Sequence, residues 1–279
     1  MFKLFNKYYL LVVLSLGTMN FSLMAGECCY SCESNRTYIG GFGGGMHSNS
    51  ARASQMGTAL FPDAAGGPLA VDARGNTNAT WSGFGGVQIG YEWTTCLQNI
   101  GCSCWGLSPA VELEGYWYSR SIKGHLFNTT DTDRLPEHDF LDTFCMNAGV
   151  YLANAVFSLN NSRFRALSPY VGLGIGATRI SLNNANSLQL APAEVGINHF
   201  NSRRNDSSWA FAAQVKAGLR YNFCGCFHVF GEYRYLFEDF SNYIFGSTVY
   251  STHVPTTPWN VKVNNMQYNA FVLGIQYDL

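Results

Sequence analysis

The stretch Met266-Gln-Tyr-Asn-Ala-Phe-Val-Leu-Gly-Ile-Gln-Tyr-Asp-Leu279 alternates apolar residues with small or polar ones along its whole length. Phe271, Leu273, Ile275, Tyr277 and Leu279 share one face, and Ala270, Val272, Gly274, Gln276 and Asp278 share the other. Side chains along a strand point to opposite faces in turn, so this pattern predicts a strand with one strongly apolar face. Its position at the end of the chain fits the closing strand of a transmembrane β-barrel. Soluble domains more often fray there.

Working back from that strand, seven earlier segments carry strand character: 36–46, 80–93, 105–119, 142–159, 167–181, 208–223 and 227–238. Three of them set charged residues on one face against apolar residues on the other. In 105–119, Val111, Leu113 and Trp117 oppose Glu112 and Glu114. In 208–223, Trp209, Phe211, Val215 and Leu219 oppose Gln214, Lys216 and Arg220. In 227–238, Val229, Tyr233 and Tyr235 oppose His228, Glu232 and Arg234. The faces of 142–159 are not assignable from the pattern. Connections alternate between four long, polar segments and three short turns, as in outer-membrane barrels with external loops and periplasmic turns. The reading is all-β: an eight-stranded antiparallel transmembrane β-barrel. A soluble barrel would put apolar residues inside and charges outside, the reverse of the pattern here.

Composition agrees. Charged residues are 13% of the chain and aromatics 15%, with 29 glycines and a formal net charge of −1. Soluble domains average about 25% charged residues, and a chain with this balance has no electrostatic case for nucleic acid. Residues 1–25 read as a secretory signal peptide, with Lys3 and Lys7 before the apolar run Tyr8–Leu16 and Leu23-Met-Ala25 as the cleavage site. Residues 26–35 form a cysteine-rich periplasmic segment, and 36–279 the barrel.

The eight-strand rhythm and the ending Gly274-Ile-Gln-Tyr-Asp-Leu279 resemble the OmpA-like and opacity-like outer-membrane barrel superfamily. The resemblance covers Arg36 to Leu279. It implies that Gly274, Ile275, Tyr277 and Leu279 form the assembly signal read by the barrel-insertion machinery, with Leu279 in place of the usual Phe. The segments Gly57-Thr-Ala-Leu-Phe-Pro62 and Gly66-Gly-Pro-Leu-Ala-Val71 look like first-loop sequences of such proteins from intracellular, Chlamydia-like or Legionella-like bacteria. The family implies outer-membrane lipid and lipopolysaccharide as surroundings.

Nine cysteines in an exported chain predict disulfides. Cys28, Cys29, Cys32, Cys96, Cys102, Cys104, Cys224 and Cys226 all fall toward the periplasmic rim, while Cys145 falls toward the outer side and is expected to be unpaired. The N-terminal cysteines could bridge to either turn, or the bonds could link this chain to other envelope proteins. Zinc is the rival reading for Cys29-x-x-Cys32 and Cys102-x-Cys104, but no histidine or second CxxC accompanies them, so no metal or other cofactor is expected.

Glu112, Glu114, Lys216, Arg220, Glu232 and Arg234 are expected in the lumen. There they either pair as an ion-pair plug or line a narrow pore and set its ion preference. Glycines at 172, 174, 176 and 218 would leave space that favours the pore. His125, His138, His199 and His253 read as solvated loop residues with no triad spacing, so the chain is not read as an enzyme. The long loops, carrying Phe127, Phe200, Tyr243, Tyr250 and Trp259, are expected to face the exterior and to meet a host surface ligand. Two functions stay open: a structural or surface-recognition barrel, and a porin for ions or small solutes.

Overall fold

A computed structural model describes residues 35–93, 105–128, 138–161 and 166–279, which form twelve β-strands. Eight of these build a closed wall: β1 (Arg36–Ser48), β4 (Thr80–Glu92), β5 (Trp105–Asn128), β6 (Asp139–Asn161), β7 (Leu167–Ala191), β8 (Asp206–Cys224), β9 (Phe227–Glu238) and β12 (Met266–Asp278). Each pairs antiparallel with the next, and β12 pairs back onto β1, from Tyr38 opposite Asp278 to Ser48 opposite Tyr268. The eight-stranded antiparallel barrel read from the sequence is the fold observed. The signal peptide, the 26–35 segment up to residue 34 and the first short turn lie outside the described residues.

The wall is sided as the alternation predicts. Val87, Leu113, Leu173, Ile175, Phe271 and Leu273 point outward and are exposed. This apolar band lies between two aromatic rims. Trp81, Trp117, Tyr151 and Trp209 mark one, and Trp93, Trp105, Phe227 and Tyr277 the other. Such a surface is stable against lipid and costly against water, so the barrel is a transmembrane one. In β6, Tyr151, Phe157 and Leu159 face out, while Val150, Leu152 and Val156 face in. Both faces are apolar there, which is why the pattern in the sequence could not assign them.

The long connections depart from the loops expected. β5, β6 and β7 run well past the outer aromatic rim, and two hairpins join them. One is β2 (Arg52–Ala59) with β3 (Leu69–Thr77); the other is β10 (Ser241–Phe245) with β11 (Trp259–Asn264). β3 pairs with the far end of β5, and β11 with β2. The remaining gap, between β7 and β10, is closed by the segment 198–206. Ala185 N donates to Arg204 O at 2.9 Å and Gly246 N to Arg203 O at 2.8 Å. The barrel thus continues beyond the lipid band as a second walled chamber, a dome. The stretch read as a long polar loop at 47–79 is mostly strand, as are parts of 120–141, 182–207 and 239–265.

The dome has an aromatic core. Phe140, Phe200, Phe245 and Trp259 are buried with Val71, Leu126, Val261 and Val263. Phe200 and Phe245 stack with ring centroids 4.7 Å apart, and Phe144 stacks on Phe245 at 5.5 Å. Phe200, Tyr243 and Trp259, expected on the exterior, are buried; Phe127 is exposed. Aromatic side chains dominate core energetics through the area they bury, and here they hold four chain connections together.

Candidate functional site

Two interiors are stacked in the barrel: a charged lumen within the lipid band and the dome above it. All six charged residues expected in the lumen point inward and are buried. Lys216 on β8 reaches across to β5, where its ammonium contacts Glu112 and lies 3.4 Å from Glu114. Glu112 also accepts from Tyr38 Oη at 2.9 Å and Asn154 Nδ2 at 3.1 Å. Glu114 accepts from Gln214 and lies 3.2 Å from Arg234 Nη1. Arg234 also contacts Glu232, which accepts from Tyr170 Oη at 2.7 Å. The guanidinium of Arg234 sits 4.2 Å from the ring centroid of Phe42, closing the cluster on its apolar side.

A second layer lies nearer the short turns. Glu92 bridges Arg36 and Arg220, both at 2.9 Å, and Asp278 lies 3.2 Å from Arg36 and 2.8 Å from His228. A third layer sits toward the dome: Tyr118 and Tyr268 both donate to Glu238 at 3.0 Å, and Arg120 lies 5.2 Å over the Tyr268 ring. Arg36, Glu92, Arg120, Glu238 and Asp278 were not singled out from the sequence. Each has the same parity as inward residues of its own strand, and that signal was available.

The glycines do not leave an open path. A Cβ on Gly174 would meet Asn154 Oδ1 at 1.9 Å, and one on Gly218 would meet the Tyr170 ring at 2.7 Å. The space is already taken by the polar network, so these positions accommodate the cluster rather than a solute.

Among the described cysteines, Cys145, Cys224 and Cys226 are free thiols and exposed. No disulfide joins Cys224 to Cys226. Cys145 lies on the dome half of β6. Cys28, Cys29, Cys32, Cys96, Cys102 and Cys104 lie outside the described residues. Gly274, Ile275, Tyr277 and Leu279 lie along the β12 edge that β1 covers; Leu279 N donates to Thr37 O at 2.9 Å.

The histidines depart from the solvated loop reading. His125 lies within β5, His199 is buried, and His138, His199 and His253 line a dome cavity of about 220 Å³ with Glu194 and Trp259. The Glu194 carboxyl is held below the usual carboxylate range by the adjacent His199, with His253 adding to the effect against partial burial.

Asp142, deep in the dome, has the opposite setting. Burial pushes its carboxyl up to about 7, against a smaller downward pull from the Ser187 hydroxyl. The Gln55 amide nitrogen, turned toward it, donates to both carboxylate oxygens at 2.8 and 2.9 Å and also favours ionisation. An unfolded aspartate releases its proton near pH 4 and the folded one near 7, so folding takes up a proton between those values. Stability is therefore greatest on the acid side of this window and falls as pH rises through it, by at most about 4 kcal/mol. Asp142→Asn is expected to flatten that slope and to be the more stable protein at pH 8, as read from urea unfolding at a series of pH values. An unchanged slope would place the titration elsewhere.

No family model and no curated protein matches the chain. Among solved structures it is similar to the outer membrane protein OprG from Pseudomonas aeruginosa, at 12% identity over 88% of this chain and 97% of that one, with a TM-score of 0.43. It is also similar to Neisserial surface protein A, at 14% identity over 88% and 99%, TM-score 0.36. A third is Ail, the attachment invasion locus protein of Yersinia pestis, in complex with the heparin analogue sucrose octasulfate, at 14% identity over 85% and 99%, TM-score 0.31. The likeness is one of fold alone, to outer-membrane β-barrels. It does not reach to a Chlamydia-like or Legionella-like source.

Proposed function

We propose that the protein is an integral outer-membrane barrel of a Gram-negative bacterium with a structural and surface-recognition role, its dome presented to the exterior. The observation that carries this reading is the filling of both interiors. The lumen holds a cross-strand ion-pair cluster centred on Lys216 and Arg234, and the dome above it holds a packed aromatic core. Eight strands enclose a lumen just wide enough for side chains, so the wall, the plug and the dome form one rigid support. Recognition tends to reside on connections held by such a scaffold.

The lipid band would lie in the outer membrane among lipid and lipopolysaccharide, after insertion guided by the Gly274–Leu279 signal. A host surface ligand would meet the outward face of the dome. The exposed thiols of Cys224 and Cys226 stand at the opposite rim, where a bond to a second envelope protein could form.

Planar-bilayer recording of the refolded protein tests the plug. The expected result is silence from a heat-modifiable, folded barrel. Reproducible steps from the wild-type protein, with an ion preference altered in Glu232→Ala or Arg234→Ala, would replace this reading with that of a narrow porin.

A further inference from the structure

Glu194 and His199 come from the connection between β7 and β8, and His253 from the connection between β10 and β11. One carboxylate oxygen and one nitrogen from each ring lie within 4.8 Å of one another. Glu194 Oε2 is 3.4 Å from His199 Nε2 and 3.2 Å from His253 Nε2. Both rings are anchored through their other nitrogen. His199 Nδ1 is 3.1 Å from Ser187 O, and His253 Nδ1 is 2.5 Å from Val254 O. A carbonyl oxygen can only accept, so each Nδ1 must carry the proton. In the neutral ring, Nε2 then presents a lone pair toward the same carboxylate oxygen.

Two lone pairs and a carboxylate oxygen converging on one point repel unless a proton on the rings or a metal cation stands between them, and the two compete for the same positions. The Nε2-to-oxygen distances also suit that arrangement. Zinc binds histidine nitrogen at about 2.0–2.1 Å and carboxylate oxygen at about 2.0–2.2 Å, which places tetrahedral neighbours about 3.3 Å apart. Backbone carbonyls holding the distal nitrogens are the usual outer support of histidine ligands, fixing tautomer and ring orientation. His199 is further held by its backbone N–H on Ser187 O at 3.0 Å and by the edges of Phe140 and Trp259. Glu194 and His253 stand at the mouth of the cavity, with side chains 30% and 14% exposed, so an ion can enter.

We propose that Glu194, His199 and His253 form a binding site for a divalent transition-metal cation of the Zn²⁺ class. Three protein ligands leave a fourth position facing the cavity, which His138 also lines. Because the ligands come from two separate connections, the ion would tie 192–205 to 246–258 and stiffen the dome face. The inference stands on the dome alone and does not depend on whether the lumen conducts.

The test uses the full-length, tag-free barrel refolded in detergent, with its thiols alkylated so that cysteine cannot compete. Zn²⁺ is titrated against a chromophoric chelator, and Co²⁺ serves as a visible-absorption probe of geometry. The expected result is one saturable equivalent with a tetrahedral or five-coordinate Co²⁺ spectrum. Glu194→Gln and His253→Gln keep side-chain size at the cavity mouth, so both variants should retain heat-modifiable migration. Each should lose affinity at least ten-fold, and the Zn²⁺-dependent rise in melting temperature should vanish with it. The proposal is overturned if the wild type shows no saturable equivalent, or if both folded variants bind as tightly as the wild type.

Discussion

Lys216→Met is expected to lower the unfolding free energy of the bilayer-embedded barrel by about 3–5 kcal/mol, the cost of breaking a buried ion pair by removing one partner. Met matches the length of the lysine stem, so the loss isolates the charge. Lys216 is the cation that contacts both Glu112 and Glu114, and those carboxylates are themselves buried. Without it, Glu112 keeps only neutral donors, Tyr38 and Asn154, while Glu114 keeps Gln214 and Arg234. Adding Glu112→Gln to Lys216→Met removes the stranded charge and should recover more than half of the loss. The measurement is the urea-unfolding free energy in lipid vesicles for the wild type, both single variants and the double variant. A loss below about 1 kcal/mol would match an exposed pair and mean that water reaches these carboxylates. That outcome would revive the porin reading independently of any current recording.

Why the wall was legible and the dome was not follows from what each must satisfy. Between lipid and lumen, each wall residue faces either hydrocarbon or the charged cluster, so the two faces differ as sharply as chemistry allows. Val111 and Leu113 against Glu112 and Glu114 is the clearest case. The contrast fades where the inward face is apolar too, as at Val150, Leu152 and Val156 in β6. It also fades at strand ends, where Arg36, Glu92, Glu238 and Asp278 sit beside turn-like sequence. The dome reverses the arrangement, with an apolar interior and polar surroundings. Trp259-Asn-Val-Lys-Val263 and Tyr243-Ile-Phe245 do alternate, but over five residues or fewer and between Pro- and Ser-rich stretches. Such short runs read as loop because their partners, the 198–206 segment and β2, lie roughly 40 and 200 positions away in the chain. The Glu194–His199–His253 cluster was invisible for the same reason: no spacing along the chain announces a site assembled from two connections.

Trp259→Ala should open the dome while leaving the barrel folded. Trp259 is buried at the junction of both hairpins. Its indole Nε1 donates to Thr248 Oγ1 at 3.2 Å, and its ring meets Phe140, His199 and Phe200 edge-on. Gly57 on β2 is pressed against it so closely that a Cβ there would lie 2.5 Å from the ring, so the indole occupies space cleared by the neighbouring strand. Truncating such a residue typically costs about 3–5 kcal/mol, part of it for the cavity left behind. The loss should stay local. The dome strands β2, β3, β10 and β11 join the wall only above the lipid band, whereas the wall keeps its full ladder and its lumen cluster. Limited proteolysis in vesicles is expected to cut the variant within 52–77 and 241–264 at protease levels that leave the wild type intact. The lipid-embedded core should stay protected and heat-modifiable, and Zn²⁺ affinity should fall because His199 loses the ring that packs against it. If barrel and dome instead unfold together at one urea midpoint, the two chambers are a single cooperative unit, and the dome core contributes directly to holding the barrel closed.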